Sequence, residues 1–177
     1  SIYENHDDWK IDFLYRWAVH EKKPIKIISL TRDPIGRNVS AFFQNFERET
    51  GLKYEKAKFS TDELMQLFLD NFHHDIPLKW FQLRIEKIFG IDVYATPFPE
   101  TGACTYVRDN IQMLIMRAEL SDVDKEMLVS HFLGMKNFRL VNENIGSEKE
   151  YAVTYEQFKK SITLPPNYVN KMCNSKY

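Results

Sequence analysis

The stretch KIISLTRDPIGRNVSAFF, Lys26 to Phe43, carries an apolar run into Thr31-Arg32-Asp33-Pro34 and then at once into residues with helical spacing. Ile25, Ile27, Ile28 and Leu30 form a nearly continuous run rich in β-branched residues, the pattern of a strand covered on both faces in a parallel sheet. Asp33 suits an N-cap, and Pro34 suits the first helical turn, where its missing N–H costs nothing. Val39, Phe42, Phe43 and Phe46 then supply a core stripe. Arg32 therefore stands where the strand gives way to a helix whose free N–H groups and positive dipole end favour an anion. Ser40 follows two turns into that helix with Arg37 at i−3, so the two can share a face, and a hydroxyl with one or two guanidinium groups can surround a phosphate dianion. Taken alone, the segment reads equally well as Arg32 paired with Asp33 or another carboxylate ahead of a capped helix.

Outward from this stretch, strands and helices alternate. Trp9, Ile11, Phe13, Leu14 and Trp17 predict a helix over roughly 7–21, which Pro24 bars from continuing. Ser60 and Glu63 have the spacing of a capping box and open a helix through about Asn71, with Leu64, Leu67 and Phe68 inward. Pro77 can start another helix and Gly90 stop it. Ile91 to Tyr94 reads as a short strand, and Pro97 to Gly102 as a loop or hairpin link. Ile111 to Met116 is the second strong buried strand, expected to lie parallel to 25–31 as a neighbour or near neighbour. A helix over about 122–133, a loop through NENIGSEKEY, a helix over about 154–161 and a last helical turn after Pro165-Pro166 complete the reading. The expectation is one α/β domain, 1–177, with a mainly parallel sheet flanked by helices and a ligand site beyond the C-terminal strand ends.

Composition narrows the partners. A chain of 177 residues, 44% hydrophobic, can bury a sizeable core, and a net charge of −1 offers no general attraction for nucleic acid or anionic lipid. An anion site then has to be a local cluster. The two cysteines, Cys104 and Cys173, lack CxxC or metal-ligand spacing, which points to a reducing, cytoplasmic setting and to no metal centre. No apolar run long enough to span a membrane appears, and SIYENHDDWK has no signal-peptide pattern.

TRDPIGRNVSAFF resembles the 3′-phosphate-binding segment of sulfotransferases that use 3′-phosphoadenosine 5′-phosphosulfate (PAPS), in which a strand ends in Arg and the next helix presents Ser. The resemblance makes Arg32 and Ser40 the 3′-phosphate ligands, with Arg37 a third. IQMLIMRAEL is similar to a later strand of that family, and the C-terminal region, with NENIGSEKEY and NSKY, resembles bacterial capsular polysaccharide synthesis proteins related to sulfotransferases. Gly146, Ser147 and Lys149 loosely resemble the family's late loop over the nucleotide, although a solvated charged loop is the competing reading. The resemblance implies a P-loop-like sulfotransferase fold, a PAPS donor and a carbohydrate-type hydroxyl acceptor.

One family element is missing: the N-terminal strand and glycine-bearing loop that cradle the 5′-phosphosulfate. No glycine precedes Gly36. The expectation is that this element lies upstream of Ser1; the alternative is a noncatalytic nucleotide-binding or interaction module that has lost transfer. A P-loop kinase relative is disfavoured, because no GxxxxGK[ST] occurs. Sulfuryl transfer also needs a general base, for which His6, upstream of the first strand, ranks first. His73 and His74 are rivals, whereas His20 and His131 read as ordinary helix residues. Trp80, Phe81, Tyr94 and Phe98 read as core rather than as a sugar platform.

Overall fold

A computed structural model of the chain describes residues 13–54, 59–141 and 150–174. The chain divides into two compact units, Ser1–Arg32 with Lys79–Leu140 and Asp33–Leu78 with Val141–Tyr177.

The first unit is built on a three-stranded sheet in the order β1-β3-β2, formed by β1 (Ile25–Thr31), β2 (Ala103–Arg108) and β3 (Ile111–Arg117). β1 and β3 run parallel, from Ile25 opposite Ile111 to Thr31 opposite Arg117, as the two apolar runs predict. β2 pairs antiparallel to β3 across the short Asp109-Asn110 turn, where Asp109 adopts φ 50°. The sheet is therefore mixed rather than mainly parallel, and helices accompany it. β3 is the central strand, and Ile111, Met113, Leu114, Ile115 and Met116 are all buried. β1 differs from the reading of a strand covered on both faces. It is an edge strand on which Ile28 is 40% and Leu30 54% exposed.

In-register pairing places Leu114 and Met116 on one face of the sheet, where they pack with Val129 and Phe132 of α5 (Asp122–Leu133). Ser121 caps α5 by accepting from Asp124 N, and Gly134 closes it in the left-handed region. At its far end Lys26 Nζ donates to the Phe132 carbonyl, placing a cation on the negative end of the helix dipole. On the other face, the Tyr106 hydroxyl donates to Val93 O at 3.0 Å and Arg108 Nη1 to Phe89 O at 3.3 Å. Phe89 ends a helical run of three segments, Ile76–Phe81, a π-wound turn Gln82–Glu86, and Lys87–Phe89. Gly90 stops that run at φ 64°, a left-handed conformation that favours glycine, and a Cβ there would stand 1.2 Å from Arg108 Nη1, so the tip of that arginine would have to shift. Asn110 Nδ2 donates to Ala18 O at 2.9 Å and Lys23 O at 2.6 Å, tying the turn before β3 to the π-helical turn Arg16–His20 and the approach to β1.

Ile91–Tyr94, expected as a strand, is a turn. Asp92 Oδ1 accepts from Tyr94 N at 2.8 Å, an Asx-type contact that takes the backbone out of reach of a ladder.

The second unit is helical among its described residues: α1 (Pro34–Gln44), α2 (Phe46–Thr50), α3 (Thr61–Asn71), the start of α4 (Ile76–Phe81), α6 (Ala152–Ser161) and α7 (Pro166–Cys173). The apolar stripe is buried as its spacing predicts, Val39, Phe42 and Phe43 on α1 and Phe46 at the start of α2, together with Leu64, Phe68, Phe72 and Phe158. Each such phenylalanine contributes on the order of 1.5–3 kcal/mol by leaving water. The capping box at Ser60 is complete, with Ser60 Oγ accepting from Glu63 N and Glu63 accepting from Ser60 N.

Candidate functional site

Arg32 follows directly on the C-terminal end of β1 and is exposed; it makes no ion pair or hydrogen bond with another described residue. Asp33 does not neutralise it. Its carboxylate caps α1, accepting from Ile35 N at 3.3 Å and from Gly36 N, while its carbonyl accepts the first helical bond from Arg37 N at 2.9 Å. This changes the chemistry expected of the segment. Two of the free amides of the first turn are occupied by the protein's own carboxylate, so an anion here has to be met by side chains.

Arg37 and Ser40, both half-buried, belong to the second unit. The Ser40 hydroxyl makes no hydrogen bond with a described residue. Arg37 is committed in part: its Nη1 donates to Asn38 Oδ1 at 3.2 Å. Asn38 is the one fully buried polar residue described, and its Nδ2 donates to His74 O at 3.0 Å and lies 3.5 Å from the Tyr168 hydroxyl. His74 completes the group. Its Nε2 lies 3.0 Å from Phe68 O, a pure acceptor, so Nε2 carries the proton; Nδ1, 2.9 Å from the Tyr168 hydroxyl, then accepts from it. Beside them Asp75 pairs with Lys171 at 2.6 Å.

Both ring nitrogens of His74 are thus taken, and the side chain is a structural hub rather than a base open to substrate. Burial, partly opposed by the Phe68 and Leu69 carbonyls and Asp75, lowers its pKa below the ordinary 6.5. Burial likewise raises that of Tyr168. Protonating His74 would remove the acceptor that Tyr168 uses. Because the folded pKa is depressed, the unfolded chain binds more protons between the two values; this contribution to stability is complete above 6.5 and is lost as the pH falls through the folded value. Urea midpoints are expected to decline across that window, and His74→Gln is expected to be less stable at neutral pH but to show a shallower decline. An unchanged slope in the variant would remove His74 as its source.

The other titratable groups bear less on catalysis. Tyr106 is pushed up to about 12, chiefly by burial, with the Cys104 thiol, Asp92 and Tyr94 adding to it, so its phenol stays protonated. His73 is exposed. Cys104 and Cys173 are free thiols. Among the described residues no group of three or more His, Cys, Asp and Glu is arranged to hold a metal ion, and no helix is long and apolar enough to cross a membrane. His6, Gly146, Ser147 and Lys149 lie outside the described residues.

Comparison of the chain with family models, with curated proteins and with solved structures found no match.

The sequence reading did not single out Asn38 or Tyr168. A signal for Asn38 was present, because Asn38, Phe42 and Phe46 repeat at i, i+4, i+8 and a polar residue on an apolar line needs partners there. Tyr168 carried no such mark, since its partner His74 is far away in the chain.

Proposed function

We propose that the chain binds the 3′-phosphate of PAPS through the segment Thr31–Ser40 and serves sulfuryl transfer from that donor to a hydroxyl acceptor. The observation that carries the reading is Arg32: an exposed guanidinium at the C-terminal end of a strand in a parallel pair, not neutralised by a described residue, next to an aspartate already committed to capping. In open α/β sheets ligands gather beyond such strand ends. The likeness of TRDPIGRNVSAFF to the sulfotransferase segment supplies the rest, with Ser40 as second ligand and Arg37 as a weaker third. In the reaction the acceptor oxygen attacks sulfur, the bond from sulfur to the bridging phosphate oxygen breaks, 3′-phosphoadenosine 5′-phosphate leaves, and a base, for which His6 is the candidate, takes the hydroxyl proton. Gly146, Ser147 and Lys149 enter only through their loose likeness to the family's late nucleotide loop, against the competing reading of a solvated charged loop. A carbohydrate acceptor, in capsular or other surface polysaccharide synthesis, follows from the likeness of the C-terminal region alone.

Calorimetry on the full-length protein tests the nucleotide site. 3′-Phosphoadenosine 5′-phosphate is expected to bind more tightly than adenosine 5′-phosphate, and Arg32→Ala to weaken the former at least about tenfold, Ser40→Ala less, with adenosine 5′-phosphate little changed. Melting curves exclude unfolding. A wild type that does not distinguish the two nucleotides, or an Arg32→Ala that weakens both equally, would reduce the segment to a capped helix start.

A further inference from the structure

α7 has a narrow grip on the rest of its unit. Of its 8 residues only Met172 is buried, with Tyr168, one turn earlier on the same face, and Val169 half-buried. So little apolar surface leaves water that the polar contacts decide whether this helix stays docked. α6 is anchored differently. Its Phe158 is fully buried, with ring centroids 5.2 Å from Phe43 and 6.2 Å from Phe68. Pro165-Pro166 stands between the two helices, so α7 can come away without disturbing α6.

The link between α3 and α4 supplies the polar contacts. Lys171 pairs with Asp75 at 2.6 Å, but both side chains are about half open to water, and such a pair contributes little. Asn38 Nδ2 lies 3.5 Å from the Tyr168 hydroxyl, at the limit of a hydrogen bond. The bond from the Tyr168 hydroxyl to His74 Nδ1, at 2.9 Å, is shorter and better enclosed, since the imidazole sits edge-on to Phe68 at 4.7 Å and to Tyr168 at 4.9 Å. It exists only while Nδ1 is bare. A proton there turns the acceptor into a donor, so the phenol proton loses its partner while Asn38 Nδ2, also a donor, faces the same oxygen. The charged groups around the imidazole are Asp75 in its own link, Lys171 on α7 and, through Asn38, Arg37 on α1, with Asp33 acting on Tyr168. Asp75 favours the imidazolium, whereas Lys171 and, above all, burial oppose it.

We propose that the Tyr168–His74 bond is a proton-operated latch: with His74 neutral α7 is docked, and with a proton on Nδ1 α7 leaves its unit from the Pro165-Pro166 break onward, while α1, α3 and α6 stay packed. The latch is closed above 6.5 and opens as the pH falls through the depressed folded value. A helix this short has little stability alone, so on release it also unravels.

Hydrogen exchange on the intact chain at about pH 7.5 and about pH 5, corrected for the pH dependence of intrinsic exchange, tests it. The amides from Val169, bonded to Pro165 O at 3.1 Å, to Asn174, bonded to Asn170 O at 3.0 Å, report α7. Their protection is expected to fall about threefold or more in acid while that of α1 and α3 holds. His74→Gln, which takes up no proton, is expected to give equal α7 protection at both pH values, and Tyr168→Phe to give low protection at both. Lys171→Gln removes the ion pair but not the latch, so it is expected to lower protection at both and keep the fall. If α1 loses protection together with α7, acid opens the whole unit and there is no latch. A fall that survives His74→Gln or Tyr168→Phe assigns it to another group and overturns the proposal, as does a wild-type α7 equally protected at both pH values. The wild-type comparison of α7 with α1 needs no variant to fold.

Discussion

Phe42→Ala is expected to destabilise the helical unit by about 3–5 kcal/mol, enough to remove much of the stability of an ordinary domain. Phe42 is fully buried, and its ring centroid lies 5.5 Å from Phe43, 5.4 Å from Phe46, 5.4 Å from Phe68 and 6.2 Å from Phe72, all in edge contacts. Truncation therefore loses the transfer of one aromatic ring, leaves a cavity among rigid rings that collapse poorly, and removes several edge-to-face contacts together. The same rings hold α1 against α3, so the lost contacts are not local to one helix. Urea melts followed by far-ultraviolet circular dichroism measure the effect, and Phe42→Leu, which keeps much of the volume, is expected to cost less than half as much. A loss below about 1 kcal/mol for the alanine variant would mean that the aromatic cluster is not a packed core.

The same chemistry explains why some elements could be read from the chain and others could not. The pairing of 25–31 with 111–117 was legible because both runs are apolar and rich in residues that suit a buried pleat. That β1 is an edge was not, because Ile28 and Leu30 look the same in sequence whether a partner covers them or not. Ile91–Tyr94 shows how burial can imitate a strand. Ile91 and Val93 are 5% and 7% exposed with Asp92 exposed between them, a period of two arising from packing on a turn that Asp92 itself holds. The strand that does form, Ala103–Arg108, announces itself only through Thr105, Tyr106 and Val107 ahead of Asp109-Asn110, a short and weak hairpin signal.

Within the candidate site, the cap at Asp33 and the position of Arg32 follow from local rules and were legible. The commitment of Arg37 was not. It depends on Asn38, which depends on His74 and Tyr168, and a network between residues so distant in sequence leaves no local pattern.

That network carries the second large effect: Asn38→Ala is expected to cost about 2–3 kcal/mol, though it removes only one small side chain. Its amide group donates to His74 O at 3.0 Å, reaches the Tyr168 hydroxyl at 3.5 Å and accepts from Arg37 at 3.2 Å, all with no exposure of its own. Alanine leaves the half-buried His74 carbonyl without this partner beside a fully buried position and frees Arg37 from a guanidinium contact, and an orphaned polar group costs more than a hydrogen bond is worth net. Asn38→Asp separates the two contributions. It keeps the shape and the acceptor for Arg37 but cannot donate to His74 O when ionised, and it brings a carboxylate to a site with no exposure. The aspartate variant is therefore expected to be at least as destabilised as the alanine one at neutral pH and to recover part of the difference in acid, where the carboxyl is neutral and can donate. Chemical denaturation at two pH values measures both. An aspartate variant as stable as the wild type at neutral pH would mean that water reaches Asn38, and the hub would then be a surface contact.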